Sequence, residues 1–279
     1  TKKKNNKGIS NCYISQKKIK KKKMQFAKEA IENAKENLTT ITNQNTLGYY
    51  HYALYRYKYF IDEPGFEEDI LKSLTYFEKA KNYTFAGLNA ISIANYGELV
   101  NKNFLDKGIK YAELSEDNDL KLEAKICEST YLKEQFELNP KSISIQKVIV
   151  SFEKTIQLTK NQISNKMNVA VAYLNYANFL VAQNQSESTI INLTDTALHY
   201  AKKYGIVSVV RNCYGIKGLY FLNQNKLDQA EKSFLNGIAY LKSLPFKEYA
   251  TEKKFYQDLK EIAASKKDFV SYHKYDVLF

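Results

Sequence analysis

Residues 214–245, YGIKGLYFLNQNKLDQAEKSFLNGIAYLKSLP, contain the stretch that decides the fold. In its second half, apolar residues recur at three- and four-residue steps, the spacing of one helix face. They are Ala230, Phe234, Ile238 and Leu241. In its first half, Gly218 stands between Tyr214 and Phe221. A small residue here lets a second helix approach closely while aromatic side chains fill the space around it. The stretch therefore predicts two antiparallel helices joined by a short turn.

The same periodicity continues along the chain, interrupted only by short polar breaks such as Asn139-Pro140. Ten Gly and three Pro are too few for an all-β fold, which needs frequent turn residues. We therefore predict an all-α protein of paired helices. The predicted pairs are 5–20 with 22–38, 45–60 with 66–82, 84–101 with 104–117, 119–138 with 141–160, 163–183 with 186–204, 205–224 with 227–243, and 246–265 with 268–279.

The sixth pair carries a recognisable signature. It reads Tyr214-x-x-Lys217-Gly218-x-x-Phe221, then Ala230-x-x-x-Phe234, then Pro245. This resembles the tetratricopeptide (TPR) repeat, although Lys217 replaces the usual Leu. Partial matches recur in Asn95-Tyr96-Gly97-x-x-Val100 and Tyr256-x-x-Leu259, whereas the second, fourth and fifth pairs match only in periodicity. The resemblance implies a right-handed α-solenoid of about seven TPR-like hairpins over residues 24–279.

The net charge of +12 is concentrated at one end of the sequence. Residues 1–23 contain ten Lys and no acid, and the remaining 32 bases nearly balance 30 acids. We interpret residues 1–23 as a lysine-rich segment that offers few apolar contacts and leads into the first hairpin. Only Arg56 and Arg211 could make forked contacts to phosphate or guanine, so we expect no direct nucleic-acid binding.

The residues of known catalytic and metal sites do not come together in this sequence. Three widely separated Cys suggest buried free thiols, and the three His fall in different predicted hairpins. The acidic run 116–119 lacks the Gly and Glu of a calcium loop and is better placed to cap the helix near Leu120. We therefore expect no enzyme activity, cofactor or metal, and no apolar run long enough to span a membrane.

A binding function is the remaining expectation, because hairpin solenoids bind ligands on the concave surface lined by their first helices. Six Tyr lie between residues 49 and 59, too many for one core stripe, beside potential cations. We expect an extended peptide or protein ligand, with Tyr55 as an anchor and Lys58 or Arg56 holding a carboxylate. The candidate groove residues are His51, Tyr55, Arg56, Lys58, Asn178, Asn212, Leu219 and Asn223.

The divergent repeats are rich in Lys, Asn, Ile and Tyr and end in the motif Lys266-Lys267-Asp268-Phe269-x-x-Tyr272-x-x-Tyr275-Asp276. In this they also resemble the TPR sensor region of Bacteroidetes membrane-anchored transcriptional regulators or histidine kinases. That resemblance implies a periplasmic sensor, attached to the membrane only through a flanking segment. Two alternatives remain open, a cytosolic peptide-pheromone receptor and a plain assembly scaffold. A flanking hydrophobic span in the full gene would favour the sensor, and an amino-terminal helix-turn-helix the receptor.

Overall fold

A computed structural model describes residues 10–12, 14–15, 24–38 and 43–279. This part of the chain consists of α-helices and their connections, without a β-strand. Its helices are α1 (Met24–Leu38), α2 (Gln44–Phe60), α3 (Phe66–Lys79), α4 (Tyr83–Ala94), α5 (Lys102–Leu114), α6 (Asn118–Leu138), α7 (Ile145–Leu158), α8 (Lys166–Ala182), α9 (Glu187–Lys203), α10 (Val207–Asn223), α11 (Leu227–Lys242), α12 (Tyr249–Ser265) and α13 (Phe269–Leu278). The predicted all-α class is confirmed.

The chain divides into two compact units, Thr1–Ile143 and Ser144–Phe279, called unit 1 and unit 2 below. In unit 1, α2 pairs with α3 and α4 with α5, while α1 packs on α2 and α6 packs on α4 and α5. In unit 2, α8 pairs with α9, α10 with α11, and α12 with α13, and α7 packs on α8. Helix α10 also contacts both α8 and α12, so these three first helices lie side by side. Packing in consecutive pairs is thus confirmed. The division falls inside the predicted helix 141–160, which begins only at Ile145, so the fourth predicted pair is split between the two units.

The same turn geometry closes helices in both units. The second residue after the end of the helix adopts the left-handed conformation, as Asn225 does with φ of 54°. The next backbone N–H then donates to a carbonyl five residues earlier, as Lys226 does to Phe221 at 2.8 Å. This satisfies carbonyls that the helix end would leave without partners. The residues that occupy this position after a helix are Asp62, Lys81, Asn184, Gly205, Asn225 and Lys267.

Close helix approach at Gly218 agrees with the sequence interpretation. A Cβ at this position would lie 2.4 Å from the ring of Phe234, which is fully buried. The hairpin of α2 and α3 repeats this contact, since a Cβ on Gly48 would lie 2.8 Å from Phe77. The Ser73 hydroxyl also donates to the Gly48 carbonyl at 2.9 Å. Periodicity alone did not reveal this second glycine–phenylalanine contact.

The third predicted hairpin differs from its prediction. The helix expected over 84–101 ends at Ala94, and Gly97 lies in the exposed connection before α5. A new helix then begins at Lys102, because the Asn101 side chain accepts hydrogen bonds from the backbone N–H groups of Asn103 and Phe104. Close approach occurs instead at Gly108, where a Cβ would lie 2.2 Å from Ile91.

The amino-terminal predictions fall partly outside the described residues, which include little of the predicted helix 5–20. Within the lysine-rich segment, however, Cys12 is buried in a cluster with Ile31, Ala34 and Tyr49. Cys12 therefore contributes one apolar contact from this segment, and the expectation that residues 1–23 offer few such contacts stays a prediction. The expected burial of all three free cysteines is confirmed.

Candidate functional site

Unit 2 contains a groove of about 480 Å³ across its three adjacent first helices. We call it the α8–α10–α12 groove. Helical spacing explains how α10 reaches it, since Asn212, Gly215 and Leu219 recur at three- and four-residue steps along one face. The lining residues are Leu174, Asn175 and Asn178 of α8; Arg211, Asn212, Gly215, Ile216 and Leu219 of α10; and Ala250, Thr251, Lys254, Phe255 and Asp258 of α12.

Three asparagine side chains give the groove its hydrogen-bonding character. Asn175 and Asn178 lie one turn apart on α8, and Asn212 faces the same groove from α10. None of the three side chains is hydrogen-bonded to another residue in the described part of the chain. Each amide can donate through nitrogen and accept through oxygen, the two functions that a peptide backbone requires. The groove therefore has free capacity to bind an extended chain.

The charged residues of the groove differ in their engagement. The Arg211 guanidinium donates to Glu248 at 2.6 Å and to the Thr251 hydroxyl at 3.3 Å, which fixes its position. Lys254 is exposed and pairs with no carboxylate among the described residues. Asp258 is half-buried, and this burial raises its pKa to about 6 against the opposing effect of Lys254. The groove thus has one fixed cation, one free cation and one carboxyl group that protonates readily.

The predicted groove residues separate between the two units. Asn178, Asn212 and Leu219 come together in the α8–α10–α12 groove. Asn223 is exposed at the carboxyl end of α10 and does not line it. His51, Tyr55, Arg56 and Lys58 all belong to α2 of unit 1.

His51 and Lys58 contact a buried carboxylate. Asp69 of α3 is 5% exposed, and its two oxygens lie 3.0 Å from His51 Nδ1 and 2.7 Å from Lys58 Nζ. Burial acts to raise the pKa of Asp69, but hydrogen bonds from His51 and Lys58 outweigh it and the pKa is lowered. The two basic side chains thus stabilise the α2–α3 hairpin and are already engaged within it.

Tyr55 and Arg56 lie among aromatic rings. The Tyr55 ring centroid is 6.3 Å from that of Tyr59, and burial raises the pKa of its phenol. The Arg56 guanidinium lies 5.6 Å from the Phe60 ring centroid, and its Nη1 donates to the Tyr52 hydroxyl at 3.3 Å. In the described part of the chain, no carboxylate pairs with Arg56.

Several residues of the α8–α10–α12 groove were not among those predicted from the sequence. Asn175 could have been found, because it precedes Asn178 by one helical turn. Arg211 likewise precedes Asn212 directly and faces the same groove. Lys254 and Asp258 belong to α12, whose repeat match was too partial to fix a register.

The described residues contain neither a cluster of His, Cys, Asp or Glu that could hold a metal ion nor a helix long and apolar enough to cross a membrane. No protein-family model matches this sequence, and no curated protein is significantly similar to it.

Proposed function

We propose that this chain is a non-catalytic interaction domain that binds an extended peptide in the α8–α10–α12 groove. The observation that carries the proposal is the set of three asparagine amides, Asn175, Asn178 and Asn212, which face one groove without partners in the described chain. Such amides pair with the backbone of an extended peptide, while Leu219 and Leu174 offer apolar contact to its side chains.

Charge supports an acidic peptide. Residues 144–279 contain 18 Lys+Arg and 11 Asp+Glu, a net charge of +7. Within the groove, Lys254 is available to a carboxylate, and Arg211 is held in place by Glu248. An acidic side chain or a terminal carboxylate is therefore the expected partner of Lys254.

We propose further that the hairpins are TPR-like and wind as a right-handed solenoid. The support is the Gly218–Phe234 contact at the position of the TPR signature, together with the turn geometry common to both units. A role as the sensor of a membrane-anchored signalling or transcription regulator is part of the same proposal and rests on the sequence resemblance alone. The flanking sequence of the full gene tests that role.

The binding proposal is tested by selecting a phage-displayed random dodecapeptide library on the full chain. We expect enrichment of peptides rich in Asp or Glu. Against one selected synthetic peptide, Asn178→Ala and Asn212→Ala each weaken affinity about fivefold or more, the effect of losing one or two hydrogen bonds. Asn223→Ala is the matched control on α10 and leaves affinity unchanged.

Two outcomes would contradict the proposal. Failure to enrich any peptide would deny a peptide site on this chain. Equal losses in Asn212→Ala and Asn223→Ala would place the bound peptide outside the groove. Urea unfolding of each variant checks that an affinity loss does not come from a loss of folded protein.

A further inference from the structure

A surface of connected aromatic rings joins the end of α2 to the start of α3 and to the segment after α4. Tyr59 and Tyr96 are 54% and 53% exposed. Phe66 lies between them, with ring centroids 5.4 Å from Tyr59 and 5.0 Å from Tyr96. Tyr55 extends the row, 6.4 Å from Phe66. Phe66 and Tyr55 are partly buried, so the two exposed rings stand on a continuous aromatic base, and contiguous exposed apolar area marks interaction surfaces in soluble proteins. We call Tyr55, Tyr59, Phe66 and Tyr96 the aromatic surface.

Carboxylates border this surface. Glu67 accepts a hydrogen bond from the Tyr96 hydroxyl at 3.1 Å. The pKa of Tyr96 is raised, first by desolvation, then by Glu67, with a further contribution from the negative charge of Asp62. Asp62 and Glu67 are both exposed, and neither forms an ion pair with another described residue. These two carboxylates are therefore available to a cation from outside.

The ring faces are also free of cations. Elsewhere in the described chain, lysines lie over tyrosine rings, as Lys202 does over Tyr214 at 5.4 Å. Arg56 lies over Tyr52 and Phe60, outside the aromatic surface. No such cation lies over Tyr55, Tyr59, Phe66 or Tyr96 among the described residues. The aromatic surface thus has unused capacity for cation–π contacts.

The charge that favours a cation here is local. Residues 24–143 contain 14 Lys+Arg and 19 Asp+Glu, a net charge of −5, although the ten Lys of residues 1–23 bring the whole of unit 1 to +5. A basic segment would be held at short range by the bordering carboxylates and the rings. We propose that the aromatic surface binds a lysine- or arginine-bearing segment of a partner protein, at a site separate from the α8–α10–α12 groove.

A defined probe tests this without knowledge of the partner. Fluorescein-labelled acetyl-(Gly-Lys)6-amide is titrated with the full chain at about 50 mM salt, where surface electrostatics are weakly screened. Acetyl-(Gly-Ser)6-amide with the same label serves as the neutral probe. We expect the lysine probe to bind, the serine probe to show no binding, and the affinity to fall as salt rises.

Aromatic variants separate a ring contact from plain charge attraction. Tyr59→Ala and Tyr96→Ala should each weaken lysine-probe binding about fivefold, the loss of one cation–π contact. Tyr249→Ala, a 72% exposed ring in unit 2, is the matched control and should leave binding unchanged. Both exposed substitutions spare the core, and circular dichroism verifies the fold. Undiminished binding in both aromatic variants would overturn the proposal.

Charge variants test the location. The pair Asp62→Asn with Glu67→Gln should weaken binding about tenfold, because both carboxylates border the rings. The pair Glu113→Gln with Glu116→Gln removes the same charge at the end of α5 and should change binding less than twofold. Equal losses of affinity in the two double variants would show that only net charge matters and would refute a local site.

The oligomeric state is a further test. A dimer that forms without the probe and is lost in the Asp62→Asn, Glu67→Gln variant would show that the surface binds the lysine-rich segment of a second copy of this chain, and would refute binding of a different protein.

Discussion

Units 1 and 2 are built from the same helix pairs but use their polar side chains in opposite ways. In unit 1, His51 and Lys58 both contact the carboxylate of the buried Asp69. In unit 2, Asn178, Asn212 and Lys254 remain without partners in the described chain and face one groove. The helices also differ in charge, since residues 24–143 carry −5 and residues 144–279 carry +7, although the ten Lys of residues 1–23 bring the whole of unit 1 to +5. A charged residue on the first helix of a pair is therefore not always available to a ligand, because an oppositely charged residue on the second helix can already bind it.

The largest effect on stability should come from removing the carboxylate of Asp69, which contacts His51 and Lys58 within unit 1. Asp69→Ala would leave two partly buried basic groups without their anion and lower the free energy of unfolding by about 3 kcal/mol. Asp258→Ala is the control in unit 2. It removes a carboxyl group without an ion-pair partner among the described residues and should not destabilise the protein. Urea unfolding at pH 7 measures both.

The pH dependence of Asp69 supplies a second readout of the same prediction. Its pKa is lowered on folding, so its stabilising contribution is complete above the ordinary pKa of about 4 and is lost as pH falls through the lowered value. Asp69→Asn should reduce the loss of stability on acidification below pH 4. If Asp69→Ala and Asp258→Ala had equal effects at pH 7, the contrast between the units would be broken.

The sequence predicted the helix pairs well because helix formation and pairing depend on local spacing. Apolar periodicity located α10 and α11, and the acidic run correctly placed the cap of α6, where Asp117 accepts from the Leu120 N–H. The exception was the predicted helix 84–101, which ends at Ala94 and is followed by a new helix that the Asn101 side chain caps. Such a cap has no periodic signature in the sequence.

Candidate sites were less predictable, because they depend on contacts between distant residues. Asn178, Asn212 and Leu219 line one groove because α8 and α10 are in contact. Lys58 was placed in the groove by the same counting along its helix. In the structure, however, its ammonium group donates a hydrogen bond to Asp69, eleven residues later in the chain. Periodicity places a side chain on a helix face, but the partner across the interface follows only from the packed structure.

Two glycines three residues apart on α10 provide the next test. A Cβ at Gly218 would lie 2.4 Å from Phe234, whereas a Cβ at Gly215 would meet nothing closer than Phe255 at 3.5 Å. Gly218→Ala should therefore lower the free energy of unfolding by roughly 1–3 kcal/mol through overpacking. Gly215→Ala should raise it by up to about 1 kcal/mol, because alanine favours the helix. Urea unfolding of the two variants measures both changes in the free energy of unfolding. Destabilisation by Gly215→Ala would show that the space beside Gly215 in the groove is already filled.

The smallest expected effect concerns Asp258 and has the opposite sign to that of Asp69. Burial raises the pKa of Asp258 to about 6, above its ordinary value near 4, so the folded protein binds this proton more tightly than the unfolded chain. Stability should consequently fall as pH rises from about 4 to about 6 and then change no further on its account. Asp258→Asn, which stays neutral, should flatten this segment of the urea midpoint against pH, while Asp276→Asn, at an exposed ion pair with Lys260, should leave it intact. In the groove, a protonated Asp258 becomes a hydrogen-bond donor, so acidic peptides should bind more tightly at pH 5 than at pH 7.5. A pH profile that Asp258→Asn leaves unaltered would mean that this carboxyl group is solvated, and unit 2 would lose its contrast with the engaged carboxylate of unit 1.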